Sequence, residues 1–175
     1  GGFMEEDKIT NMSDQALDLY FNKYGDTANI DIIKLAKLYG FKVYKSKDLS
    51  NLSLAYLEVN KNKKRIVVNE DYKKEAQNYY IALELSNYLL YGNDNKYIDL
   101  LCEYSFNSGN AKLANEILMP YEDFINKYNS YKLEYIHYDK TIQILSKNYE
   151  LPKSVINQRM QEVLIKKNKT KKRTK

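Results

Sequence analysis

The sequence predicts an α+β domain in which a small antiparallel sheet packs on one central helix, with a helical C-terminal part behind it. Three observations predict it. Residues 78–92 are apolar on nearly every side and close on Gly92, the pattern of a buried helix ended by a left-handed turn. Residues 52–59 alternate at period two, and a polar run at 60–64 leads into a second extended segment at 65–69, the pattern of a hairpin with a basic turn. From residue 121 onward apolar side chains recur at helical spacing.

Residues 1–12 read as a tag remnant and N-terminal tail, since Gly1, Gly2 and Phe3 stand ahead of Met4. Ser13 is a cap-type residue, and Ala16, Leu17, Leu19, Tyr20 and Tyr24 follow at helical spacing up to Gly25. Residues 30–39 give a second amphipathic helix stopped at Gly40, after which 41–44 turns extended. In the hairpin Leu52, Leu54, Tyr56 and Glu58 share one face and Ser53, Ala55, Leu57 and Val59 the other. Residues 95–119 read as one long helix or two pieces, weakened at Ser108, Gly109 and Asn110. Residues 121–128 should form a short helix. The segments 140–149 and 152–166 should form two more across a tight turn, with Pro152 at the first helical position. The organisation expected is therefore a main domain at 13–138, a helical pair at 139–165 packed on it, and a basic, disordered tail at 166–175.

At 175 residues the chain is long enough for one well-filled domain, and no apolar run reaches the length of a membrane span, so a cytoplasmic protein is expected. The net charge of +5 is misleading as an average. Residues 166–175 carry seven positive side chains and no negative one, so the rest of the chain sums to about −2 and is not a basic protein. Cys102 is the single cysteine and cannot form an internal disulfide. His137 is the single histidine and has no second histidine with which to share a metal, so it is read as a packed or surface residue.

Glu84 and Asn87 interrupt the apolar helix on one face, and Tyr80 and Tyr91 extend that stripe. A carboxylate there is costly unless something pairs with it. The stripe is a site or what is left of one. Residues 78–92, followed by Leu113-Ala114-Asn115-Glu116-Ile117-Leu118-Met119-Pro120, resemble the ImmA/IrrE zinc metallopeptidases, whose helix reads R-F-x-x-A-H-E-x-G-H-x-L-L-H and whose next helix ends in L-L-M-P. Val155-Ile156 and Arg159-Met160 resemble the family's closing V-S-x-x-A-V-x-x-R-L segment. The resemblance covers about residues 30–165. It implies a minimal thermolysin-like, or zincin-like, core.

The chemistry departs from that pattern. In the family, two histidines one helical turn apart hold zinc and the glutamate beside the first activates the metal-bound water. Here the histidine positions are Leu83 and Asn87, and the family's third ligand position, counted back from Pro120, is Asn107. Leucine offers no lone pair, and an asparagine oxygen suits calcium or magnesium better than zinc. Glu84 alone is kept, as a vestige, so no catalytic residue, no metal and no cofactor is expected. Asp99, Glu103 and Asn107 lie four apart on the expected 95–119 helix; they read as a hydrogen-bonded face, or more sharply as a relocated hard-metal site shared with Glu84 and Asn87.

Family members occur on phages and other mobile elements and as stress regulators that act on helix-turn-helix repressors. The resemblance thus implies a pseudopeptidase that binds a protein partner, a repressor or a factor in phage–host conflict. The former substrate groove would be lined by Tyr56, Glu58, Tyr80, Glu84, Asn87 and Tyr91. Capture of an extended segment at a sheet edge needs only backbone groups and can outlive the metal. A second reading is a nucleic-acid-binding regulator in which Lys153, Gln158, Arg159, Lys166 and Lys167 face phosphates. A third is a metallopeptidase with an atypical metal.

Overall fold

Ile9, Ser13, Ala16 and Tyr20 are buried at helical spacing, and this stripe makes a helix of residues Gly2–Tyr24 (α1). The computed structural model describes residues 2–26, 29–49, 53–92, 97–99, 108–134 and 137–174. Helix α1 takes in the segment expected as a tail. Ser13, expected to cap it, is buried within it, because Ile9 carries the packed stripe upstream and the Lys8 ammonium donates to the carbonyl of Leu90 at 2.6 Å. The chain divides into two units, Gly1–Leu118 and Met119–Lys175.

In the first unit, Asp31 caps helix Ile32–Leu38 (α2) by accepting from the Ile33 and Lys34 amides, and its own amide donates to the Tyr20 hydroxyl at 3.0 Å, tying α1 to α2. Gly40, at φ +87°, lets the chain leave α2 and start strand Lys42–Ser46 (β1). Ser53–Asn60 (β2) and Lys63–Asn69 (β3) form the expected hairpin, its turn held by the Asn60 side chain accepting from the amides of Asn62 and Lys63. Lys74–Tyr91 (α3) is the central helix, and Gly92 at φ +77° ends it. Ile81, Leu83 and Leu85 are fully buried on it, each contributing roughly 1.5–3 kcal/mol.

A three-residue strand Tyr97–Asp99 (β4) completes a sheet of order β1-β3-β2-β4. The sheet is mixed. The β2 pairs are antiparallel as expected, but β1 runs parallel to β3, with Lys42 opposite Arg65 and Tyr44 opposite Val67. The expected 95–119 helix is replaced at its start by β4, whose Tyr97 and Ile98 pair with Tyr56 and Ala55 and suit a strand better than a helix. Helix Gly109–Leu118 (α4) begins only at the expected weak point and packs against α1 and α3. Among the described residues, then, Asp99 lies on a strand and shares no helix face with Glu103 and Asn107; those two, with Cys102, fall outside the described residues.

The second unit is helical: Tyr121–Glu134 (α5), Tyr138–Tyr149 (α6) and Lys153–Arg173 (α7). The division falls before the expected 138/139 boundary because α5 packs with α6. Phe124, Leu145, Val155, Ile156 and Met160 form its core. Tyr149 stacks on Phe124 and donates to the Asp123 carboxylate at 2.6 Å, while the Lys127 ammonium lies 2.9 Å from the same carboxylate and over the Tyr149 ring. Burial, then the Asp123 carboxylate, holds the Tyr149 phenol well above its ordinary value. Pro152 is the cap of α7, one place before the position expected.

Contrary to the expected disorder, residues 166–173 continue α7, fully exposed. Lysine and arginine are good helix formers, and the packed turns upstream have already met the cost of nucleation. No helix of the described residues is long and apolar enough to cross a membrane.

Candidate functional site

Helix α3 carries the site. Its polar stripe runs Tyr80, Glu84, Asn87, Tyr91, at spacings that keep all four on one face. Tyr91 is exposed and Tyr80 half-buried against Tyr72, their rings edge to face with centroids 5.5 Å apart. Between them Glu84 is 0% exposed and Asn87 6%. The stripe is open at its ends and covered in its middle.

Glu84 accepts no hydrogen bond at either carboxyl oxygen among the described residues, and the Ser86 hydroxyl two positions on has no partner there either. Burial pushes the Glu84 carboxyl well above the usual carboxylate range, which favours its protonated form. Neutral carboxylic acid is a poor proton acceptor. Leu83 is fully buried in the core beside it.

The sheet separates the expected groove residues. Lys64, opposite Val59 in the hairpin register, donates to the Tyr88 hydroxyl on α3 at 2.9 Å and to the Tyr39 carbonyl at 3.3 Å. The Val59 face, which also holds Leu57, Ala55, Ile66 and Val68, therefore meets α3. Tyr56 and Glu58 point to the opposite face, where Glu58 pairs with Arg65 and the Arg65 guanidinium lies 5.5 Å from the Tyr56 ring centroid. So Tyr80, Glu84, Asn87 and Tyr91 are brought together, and Tyr56 and Glu58 are not among them. Sequence reasoning missed Lys64, which also lies over the Phe41 and Tyr88 rings; the only signal was a lysine on the apolar face of a strand.

The phosphate-facing set also changes. Arg159 is 2% exposed, donates from Nε to the Met119 carbonyl at 3.0 Å and from Nη1 to the Glu162 carboxylate at 3.0 Å, while Nη2 has no hydrogen-bond partner among the described residues. It holds the second unit together and faces no solvent. Gln158 is half-buried, whereas Lys153, Lys166 and Lys167 are exposed, with Lys166 lying over the Tyr121 ring.

A buried helix packed on a small sheet, with a glutamate at its centre, defines a zincin-like core. The family of IrrE N-terminal-like domains, Peptidase M78, matches residues 36–161, and the chain belongs to that family. No curated protein and no solved structure matches it. The zinc ion that such a core implies does not fit the residues present: Leu83 has no donor atom, Asn87 offers a neutral oxygen, and among the described residues no three His, Cys, Asp or Glu side chains come together. Asn107 lies outside the described residues.

Proposed function

We propose that this domain has kept the scaffold of a metallopeptidase without its metal, and that it acts by holding a protein partner, a repressor or a factor in phage–host conflict, without cutting it. The observation that carries this reading is the donor set on α3: a fully buried leucine and a buried asparagine stand at the ligand positions on either side of a fully buried glutamate. Such a set neither binds zinc nor activates water.

The partner would meet the ends of the α3 stripe, at half-buried Tyr80 and exposed Tyr91, and add an extended segment to an edge of the sheet, whose outermost strands are β1 and β4. Tyr91 is 49% exposed, and a solvent-facing tyrosine is a common interface anchor. Co-purification from the native host tests this, with Tyr80→Arg/Tyr91→Arg run in parallel. A stoichiometric protein partner that is lost with the double variant is the expected result. Chelator-sensitive cleavage of that partner would overturn the reading.

A further inference from the structure

The tip of the hairpin and β1 enclose a cleft of about 240 Å³, lined chiefly by Lys42, Lys63, Lys64 and Arg65 with Tyr44 and Asn62; Lys42, Tyr44, Lys63 and Arg65 share the sheet face opposite the one that meets α3, and Lys64 belongs to the α3 side. Four cations line it and no carboxylate does. Lys42 stands directly opposite Arg65 in the parallel register, and Lys63 lies two residues before Arg65 on the same face. Like charges placed opposite one another across a sheet are unfavourable unless something neutralises them.

Two of the four are already answered: Arg65 by Glu58, and Lys64 by the Tyr88 hydroxyl and the Tyr39 carbonyl. Lys42 and Lys63 are exposed and have no acidic partner among the described residues. The cleft thus holds uncompensated positive charge on a fixed frame. Tyr44 shares the face of Lys42 two residues along β1 and is 47% exposed.

We propose that this cleft is a nucleotide subsite, with the phosphate held by Lys42 and Lys63 in the field of Arg65 and Lys64, and the base laid on Tyr44. A carboxylate-bearing peptide would use the charge and leave the flat ring idle; a nucleotide uses both, since every base has a face to stack and every phosphate a charge to neutralise. The volume admits one phosphate with its sugar and leaves the base outside, where Tyr44 stands. The residues assigned to the ligand, Lys42, Lys63 and Tyr44, lie on the sheet face opposite the one that meets α3, so the proposal does not depend on the groove reading.

The same chemistry has two sources, a free mononucleotide or one unit of a single strand, and the experiment separates them. Fluorescence anisotropy of the full chain with labelled oligothymidylate is followed at several salt concentrations, with AMP as competitor. Lys42→Gln/Lys63→Gln should weaken binding roughly tenfold or more and flatten the log–log salt slope by roughly 0.7 per lysine. Tyr44→Ala should weaken it roughly fivefold or more while leaving the salt slope unchanged. Displacement by AMP assigns the site to free nucleotides, and retention against AMP assigns it to strands; both support the proposal. A chain with Lys166, Lys167, Lys169, Lys171 and Lys172 all changed to Gln should keep its dependence on Lys42, Lys63 and Tyr44.

Because all three cleft residues are solvent-facing, circular dichroism of the variants should match the parent. The proposal is overturned if neither oligothymidylate nor AMP binds at low salt, or if binding ignores the three residues or vanishes with the C-terminal lysines. Competition by polyglutamate as strong as by oligothymidylate, with Tyr44→Ala silent, overturns it as well.

Discussion

Each unit buries a charged residue, and the two are treated in opposite ways. In the second unit Arg159 is met by the Met119 carbonyl and the Glu162 carboxylate, so its charge is spent on joining the start of that unit to α7. In the first unit Glu84 lies deeper, and neither of its oxygens has a partner among the described residues. One charge is built into the fold. The other is tolerated by it and costs the stability that burying a polar group without a partner costs.

The largest expected effect breaks the answered charge. Arg159→Leu leaves the Met119 carbonyl and Glu162 without their donor and should cost the second unit roughly 3–5 kcal/mol, seen as an earlier midpoint in urea unfolding followed by circular dichroism. A loss under about 1 kcal/mol would mean that Arg159 is no more structural than an exposed ion pair.

Removing the unanswered charge should act in the other direction. Glu84→Leu replaces a carboxyl that has no partner among the described residues with a side chain the core accepts, and should raise stability by roughly 1–3 kcal/mol at pH 7. A destabilised variant would show that Glu84 has a partner after all, and the contrast between the two charges would be gone.

The same residue sets a pH dependence. Burial raises Glu84 above its ordinary value of 4.5, so the fold prefers the protonated form. Its contribution is whole below about 4.5 and is lost as pH climbs through the raised value, since the native state then holds a proton that the unfolded chain has released. Parent minus Glu84→Gln should therefore slope downward with rising pH by at most about 1.4 kcal/mol per unit, and unfolding titrations of both proteins should show it. Equal slopes in the two would place Glu84 in water.

The smallest effect concerns Lys64, a charge that is only half-buried. Lys64→Met keeps the stem over Phe41 and Tyr88 but gives up the bonds to the Tyr88 hydroxyl and the Tyr39 carbonyl, and should cost roughly 0.5–1.5 kcal/mol in the same unfolding measurement.

What was legible in the sequence is what depends on local pattern. The central helix, its polar stripe, the hairpin and the family all follow from spacings within a few tens of residues. Strand partnership does not. That β1 lies parallel beside β3 is decided by where α2 and α3 pack, so the expectation of a purely antiparallel sheet could not have been corrected from the alternation of residues 52–59.

For the same reason the sequence does not separate Tyr56 and Glu58 from Glu84: period two says which residues share a face but not which face meets the helix. The start of α1 is masked by the Gly-Gly-Phe that precedes Met4, although Ile9 extends the stripe of Ala16 and Tyr20. Residues 166–173 were read from composition, which reports charge and says nothing of a helix already nucleated upstream.

Elemental analysis of the full chain, purified without chelators from zinc-supplied cells, tests the central claim most directly. A scaffold that offers zinc a leucine and an asparagine should carry far less than one zinc per chain. One tightly held zinc per chain, lost together with cleavage of a protein substrate on adding a chelator, would contradict it.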